Sequence, residues 1–273
     1  MEKVSSEAKR MYLEKVKEYK VVLDKILQEE SSLQQEMEKN VDTAAYKKLE
    51  LADMSLNIAS YYLVLNEVSL MLLTIKNESY LNEARKMCYK SIIYLESTVS
   101  GLVDVPYSDY KERLDEVENF PDAKRYGLTK KLGFTIDCVE EGFGANSKWK
   151  WAFVELEGRF AAVAKNLLNM KTLVSGLDPR QDGYELRLGH LALVKEALLA
   201  AAERYRERYE LSTQHLNDLR AAIDFVCAAR RLYMLLGETD SAETARKKAD
   251  AWEQIFAAVS RKTLEEKHRA EEA

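Results

Sequence analysis

The sequence predicts an all-α protein, an antiparallel bundle of long helices followed by a C-terminal region of helical hairpins. Glycine and proline, which break helices, are absent before Gly101. Apolar residues recur at steps of three and four along most of the chain, which is the period of an α-helix. Only residues 134–138 alternate as a strand would, and an isolated strand would be unstable.

The first hundred residues predict three long helices that pack as a bundle. The first helix carries one apolar stripe, made of Tyr12, Val16, Tyr19, Leu23, Ile26, Leu33 and Met37. The second helix, which Asp42 or Thr43 can cap, carries two stripes that continue to Leu73 and Ile75. Two stripes require partners on two sides, so this helix is expected at the centre of the bundle. The third helix is predicted over about 78–103.

Shorter elements are expected over 101–144, because this stretch holds five of the ten glycines and two of the three prolines. A short helix around 109–119 would turn Tyr110, Leu114 and Val117 inward, and a further helix would end near residue 141. The sequence leaves helix and strand both open for residues 132–141. We favour a helix, because no second strand is available for pairing.

The stretch EGFGANSKWKWAF, residues 141–153, has a glycine-rich start but does not predict a nucleotide site. Ser147 and Trp149 stand where a phosphate-binding loop needs a glycine and a metal-binding hydroxyl. The glycines are instead expected to end one helix, and Asn146 or Ser147 to cap the next. Trp149 would then begin an apolar face that continues to Val174.

Four helices are predicted after residue 148, over 149–174, about 182–210, 214–236 and about 240–262. For the fold as a whole we predict seven or eight antiparallel helices. We divide it into a long-helix bundle region, connecting helices and a C-terminal helical region, which form separate units or one continuous domain. Their bounds are 1–105, 106–177 and 178–273.

Composition and charge narrow the location and the partners. The net charge is −5, with no basic stripe, so nucleic acid is not expected as a partner. Three dispersed cysteines, Cys88, Cys138 and Cys227, indicate reduced thiols and a cytoplasmic location. Residues 54–75 are long enough to span a bilayer, but Glu67 lies near their middle, where a charge is costly. Membrane attachment is therefore not expected.

Motifs for catalysis and metal binding are sparse. His190 and His215 have no cysteine or carboxylate at zinc-ligand spacing. Glu265 and His268 form one Glu-x-x-His motif, whereas a di-iron bundle needs two. The sequence contains neither HExxH nor GxSxG. No catalytic residue, cofactor or metal site is predicted, and the protein is expected not to be an enzyme.

One hairpin near the C-terminus resembles a known repeat. In residues 223–256, Tyr233, Gly237, Ala242 and Ala249 are spaced as in the second half of a tetratricopeptide repeat. The resemblance covers about one hairpin and departs from the family pattern in its first helix. It implies two closely packed antiparallel helices, the first of which lines a concave face that receives extended peptides.

Five residues are candidates for partner binding: Cys227, Arg230, Arg231, Met234 and Trp151. The two arginines lie in an otherwise apolar helix without an acid four residues earlier. They should pair with acids on a neighbouring helix or face a groove for an anionic partner. The resemblance places Cys227, Arg231 and Met234 on the concave face. Trp151 lies off the apolar face of its helix and is either packed or a partner contact.

These features predict a non-catalytic protein–protein interaction or scaffold protein that uses helical surfaces. Its partners would be other proteins, including a peptide segment with an acidic group beside an apolar anchor. The alternative is a helical enzyme or a small-molecule-binding protein with a pocket between the helical regions near 101–151. A large exposed apolar patch would favour the first function, and a pocket with convergent polar groups the second.

Overall fold

The computed structural model describes residues 4–40, 43–144 and 147–271, with side chains described as far as residue 263. These ranges contain ten α-helices and no strand, so the protein is an all-α helical bundle. The helices are α1 Ser6–Lys39, α2 Ala44–Leu73, α3 Glu78–Thr98, α4 Lys111–Asp115, α5 Asp122–Phe143, α6 Lys150–Asn166, α7 Met170–Gly176, α8 Tyr184–Arg208, α9 Leu216–Leu235 and α10 Thr239–Glu271. A 3-10 turn at Tyr107–Asp109 precedes α4, and a π-helical turn at Tyr209–Thr213 follows α8.

The central position predicted for α2 is confirmed, because α2 packs against α1, α3 and α5. One stripe of α1 contributes Val16 and Leu23 to this packing, where they meet Ile58 and Leu65 of α2. By length and hydropathy α2 could also cross a membrane. Of its 18-residue apolar stretch, 33% is buried inside the protein.

At the ends of α2, the predicted cap by Thr43 and the predicted burial of Ile75 are wrong. Thr43 makes no side-chain hydrogen bond to the helix, because its backbone (φ −105°, ψ 4°) is not in the extended conformation of a capping residue. The other candidate cap, Asp42, lies outside the described residues. Ile75 is exposed rather than buried, because the helix ends at Leu73 and Thr74 takes a left-handed conformation with φ 55°.

The middle of the chain folds largely as predicted. Residues 132–141 lie within α5, so the helical interpretation is confirmed. The helix before it is shorter than predicted: within 109–119, only Lys111–Asp115 form an α-helix. Tyr110, Leu114 and Val117 are nevertheless buried as predicted.

The prediction of a single helix over 149–174 is wrong, because the helix is interrupted between α6 and α7. The Leu167 carbonyl accepts a hydrogen bond from Arg125 Nη1 at 3.3 Å, and the Asn166 side chain bonds carbonyls of the segment after α3. The bond from Arg125 gives the Leu167 carbonyl a tertiary partner in place of a helical one, and the Asn166 side chain holds the end of α6 against the segment after α3. As a result Val174, predicted to face inward, is exposed.

The start of α6 also differs from the prediction. Trp149 precedes the helix, and its ring lies 6.0 Å from the Phe143 ring and 4.4 Å from the Arg85 guanidinium carbon. It packs on the core but is only partly buried. Ser147 does not cap the helix through its side chain; its carbonyl accepts from the Lys150 N–H instead. The other candidate cap, Asn146, lies outside the described residues.

The C-terminal helices agree with the predicted bounds, except that α10 continues to Glu271. α8 packs on α6 and α9, and α10 packs on α9. Gly237 closes the hairpin with φ 73°, which suits glycine, and Ala242 and Ala249 are buried at the crossing. The likeness to a tetratricopeptide repeat stays a prediction, and so does the division into three regions. Phe160 of α6 packs against both large apolar cores of the bundle.

Candidate functional site

A cavity of about 320 Å³ lies between α9, the segment 103–110 and the non-helical turn that separates α6 from α7. We call it the Lys165 pocket. Its apolar wall consists of Val103, Val105, Pro106, Met170, Ala228, Leu232 and Leu235. Its polar lining consists of Asp104, Tyr107, Tyr110, Lys165, Lys171 and Arg231.

The pocket exists because the segment after α3 is held beside the end of α6. The buried Asn166 amide donates to the Ser100 carbonyl at 2.8 Å and to the Leu102 carbonyl at 3.0 Å. Pro106 then begins the 3-10 turn, which brings the tyrosines of this segment over the last turn of α6. One wall is therefore a loop attached to a helix end, while α9 forms the opposite wall.

Lys165 is the most unusual residue of the pocket. It is only 6% exposed, and within the described part of the chain its ammonium makes no hydrogen bond and no ion pair. The Tyr110 ring centroid lies 5.3 Å from Nζ, which offers a cation–π contact. Burial lowers the pKa of Lys165 to about 8; Asp104 opposes this shift and Arg231 adds to it. A buried cation without a carboxylate partner is costly unless a ligand satisfies it.

Arg231 and Asp104 form the second polar element of the pocket. Asp104 Oδ2 accepts from Arg231 Nη2 at 3.2 Å, and Oδ1 lies 2.9 Å from Nε. The Nε–Oδ1 contact is close but lacks the geometry of a hydrogen bond, so Oδ1 is a buried acceptor without a hydrogen bond in the described structure. The Arg231 side chain is 55% exposed, so its remaining N–H groups are accessible to a ligand at the pocket mouth.

Two further groups complete the lining. The Tyr107 hydroxyl is buried and makes no hydrogen bond to the described residues, while its ring lies edge-on to Tyr110 at 5.5 Å. Lys171 lies nearer to solvent, with Nζ 2.9 Å from Asp115 Oδ1 and 3.6 Å from Glu118 Oε1. The hydroxyl can therefore bond a ligand oxygen, whereas the charge of Lys171 is already shared with two carboxylates.

This arrangement suits a ligand with an anionic group and an apolar body. Charge-assisted hydrogen bonds to a carboxylate are stronger in a less polar environment, such as that of Lys165, which is 6% exposed. The fork of Arg231 can bind a carboxylate from the mouth of the pocket. The aliphatic walls would cover the apolar part of such a ligand.

The five predicted site residues do not all meet here. Of the four on α9, only Arg231 lines the pocket, together with Ala228, Leu232 and Leu235. Met234 and Cys227 lie on the adjacent strip of the helix surface, because successive residues turn by about 100°. Arg230 lies near α10: the pKa of Glu243 on that helix is lowered mainly by Arg246, and Arg230 makes a smaller contribution.

Trp151 lies at the opposite end of α6 from the pocket. It precedes Lys165 by fourteen residues, which is about 21 Å along a helix. Its ring is partly buried, with Lys150 Nζ 4.8 Å from the centroid, and its carbonyl accepts from Arg208 Nη1. A single partner could therefore contact both Trp151 and Arg231 only by covering a large part of the bundle.

The sequence predictions also missed Lys165, Asp104 and Tyr107. Lys165 is the single charge in the run FAAVAKNLL, residues 160–168, which was a detectable signal of a buried cation. Asp104 and Tyr107 carried no such signal, because they belong to an irregular segment whose position depends on Asn166 and α9.

A second cluster of charges lies between α5, α6 and α8. Arg204 donates to Glu157 at 2.8 and 2.9 Å and to Glu140 at 2.6 Å. Burial raises the pKa of Glu157 to about 7, against the opposing effect of Arg204. The arginine satisfies both carboxylates, which makes this a link between three helices. Among the described residues, no His, Cys, Asp and Glu side chains form a group that could hold a metal ion.

No curated protein and no solved structure matches the chain. A model of the TP0443 family matches residues 8–259, a range that includes every residue of the Lys165 pocket. The match covers most of the chain, and the protein therefore belongs to the TP0443 family.

Proposed function

We propose that the protein is a non-catalytic interaction protein whose Lys165 pocket receives an acidic group of a partner protein together with a neighbouring apolar side chain. The observation that supports this most directly is Lys165, which is 6% exposed and makes no ion pair with the described residues, inside a largely apolar cavity. A carboxylate would remove the cost of that buried charge, and Arg231 would hold it at the mouth.

The surface around the pocket favours a protein over a free small molecule. Three large apolar side chains that line the pocket or directly adjoin a lining residue in sequence are at least half exposed, namely Leu102, Met234 and Leu235. Leu102 directly precedes the lining residue Val103, and Leu235 itself lines the cavity. Exposed apolar groups around a pocket with a central charge are typical of an interface with an anchoring residue.

A small-molecule-binding function is the second candidate. The cavity volume, about 320 Å³, lies near the lower end of the range for ligand sites, about 300–1,000 Å³. The cavity also lies between helical regions, and part of its lining falls within 101–151. An anionic compound of few atoms would fit the same polar groups.

Arg231→Ala is expected to weaken capture of acidic–apolar peptides at least tenfold while changing stability little. The Arg231 side chain is 55% exposed, so solvent screens its ion pair with the partly buried Asp104. The pair therefore contributes about 1 kcal/mol or less, and unfolding in urea should change little. Selection from a displayed library of random peptides would identify ligands, and fluorescence anisotropy would measure their affinity. We expect the selected peptides to combine an acidic residue with a large apolar one.

The matched control is Arg246→Ala, which removes an exposed, ion-paired arginine of α10 outside the pocket. Arg231→Lys should recover part of the affinity, because lysine keeps the charge but loses the planar fork. Equal affinity of the Arg231→Ala and Arg246→Ala proteins for the selected peptides would contradict the proposed site.

A further inference from the structure

The Lys165 pocket has the features that make a lysine amine chemically reactive. A lysine is a weak nucleophile while protonated, and a desolvated site or a second nearby cation favours the neutral amine. Lys165 has both features, since it is 6% exposed and shares the cavity with Arg231. Within the described part of the chain no carboxylate forms an ion pair with its Nζ.

We propose that Lys165 condenses with a small 2-oxo acid in the Lys165 pocket to form an imine. This covalent activity goes beyond capture of a partner protein, although it rests on the recognition of anions by the same pocket. The carboxylate of the oxo acid would interact with Arg231, its carbon chain would contact the apolar wall, and its carbonyl carbon would approach Nζ.

The other charged and titratable groups around the cavity agree with this ligand. Asp104 is already held by Arg231, so it leaves Nζ without an ion pair. Lys171 adds a positive charge near the mouth, where its own acids are Asp115 and Glu118. The buried tyrosine hydroxyl of the segment 103–110 can donate a hydrogen bond to the carbonyl oxygen.

The reaction needs no oxidant and no additional cofactor. The Lys165 ammonium first releases its proton to solvent, and the neutral Nζ attacks the carbonyl carbon. The carbonyl oxygen is protonated and the nitrogen loses a proton to solvent, which gives a neutral carbinolamine. This hydroxyl leaves as water after a further protonation, while the nitrogen lone pair forms the C=N bond. In sum, one ammonium and one ketone give one protonated imine and one water.

Reductive trapping tests the proposal on the full, unmodified chain. The protein is incubated with pyruvate and sodium cyanoborohydride, which reduces an imine to a stable secondary amine, and a peptide map then locates the adduct. With a pKa of about 8, Lys165 holds a far larger neutral fraction at pH 7 than an ordinary lysine, whose pKa is near 10.4. Lys165 should therefore be labelled about tenfold or more faster than the exposed Lys124.

Three variants separate reaction from recognition. Lys165→Arg should abolish the fast adduct, and Lys130→Arg, which changes an exposed lysine outside the cavity, should retain it. Arg231→Ala should slow trapping of pyruvate more than trapping of acetaldehyde, because only pyruvate carries a carboxylate. Labelling of Lys165 no faster than that of Lys124 in the unmutated protein would overturn the proposal, whether or not the variants fold.

The outcome is distinguishable from failure of the proposed interaction function. Slow labelling of Lys165 together with normal Arg231-dependent peptide capture would overturn the imine alone. Fast labelling without peptide capture would overturn the peptide function and support a small-molecule role for the pocket.

Discussion

Replacing Lys165 by methionine is expected to raise the free energy of unfolding at neutral pH by about 2–3 kcal/mol. Burial lowers the pKa of this lysine from 10.5 to about 8, and each unit corresponds to about 1.4 kcal/mol between the two protonation states. The residue is 6% exposed, so solvent screens the effect little. Methionine has a similar length, adapts to irregular cavities and carries no charge.

The pH dependence gives a sharper test than the value at one pH. Between pH 8 and 10.5 the unfolded chain binds more protons at Lys165 than the folded protein does. Stability of the parent protein should therefore rise through this window, whereas below pH 8 both states are protonated and the cost of burial is constant. The Lys165→Met protein lacks this contribution, so its advantage should shrink as the pH rises from 8 to 10.5.

Urea unfolding of both proteins near pH 7 and near pH 10 measures these differences. Lys171→Met is the matched control, because this lysine lines the same pocket but is exposed and paired with Asp115. We expect the stability of Lys171→Met to stay close to that of the parent protein, because an exposed ion pair contributes little. A loss of stability in Lys165→Met at pH 7 would mean that the ammonium supports the fold. A gain of stability in Lys165→Met would support a role of Lys165 in binding, because a residue that reduces stability within a pocket is typical of binding and catalytic sites.

Arg125→Met is expected to have the opposite effect, lowering the free energy of unfolding by about 3–5 kcal/mol. The Arg125 guanidinium is 1% exposed and donates to three backbone carbonyls, those of Val117, Phe120 and Leu167. Methionine fills much of the same volume but leaves these carbonyls without their donor. Each unsatisfied buried acceptor costs about 1–3 kcal/mol.

Lys124→Met is the control for this variant, because Lys124 is the exposed neighbour on the same helix. Its stability should stay within about 0.5 kcal/mol of the parent. Since Arg125 bonds the carbonyl of Leu167, two residues beyond Lys165, the Arg125→Met protein should also lose the fast labelling of Lys165. An unchanged free energy of unfolding for Arg125→Met would show that water replaces the guanidinium, and that the end of α6 does not depend on Arg125.

The sequence by itself determined the fold class and most of the helix bounds. Steps of three and four among apolar residues, and the lack of glycine and proline before Gly101, are local properties that favour a helix whatever surrounds it. They also placed the burial of Leu114 and Val117, and the helix over 132–141, correctly. The same local information identified Arg231 as an unusual charge in an apolar helix.

Only the tertiary structure decided that the helix predicted over 149–174 breaks after α6, and which groups Arg231 faces. The chain leaves α6 because Leu167 and Asn166 bond groups 42 and 64 or more residues away, and no local pattern contains these partners. The Lys165 pocket arises from that break, since it joins a loop after α3, the end of α6 and one face of α9. Distant segments met there because buried polar groups needed hydrogen-bond partners that their own helices could not supply.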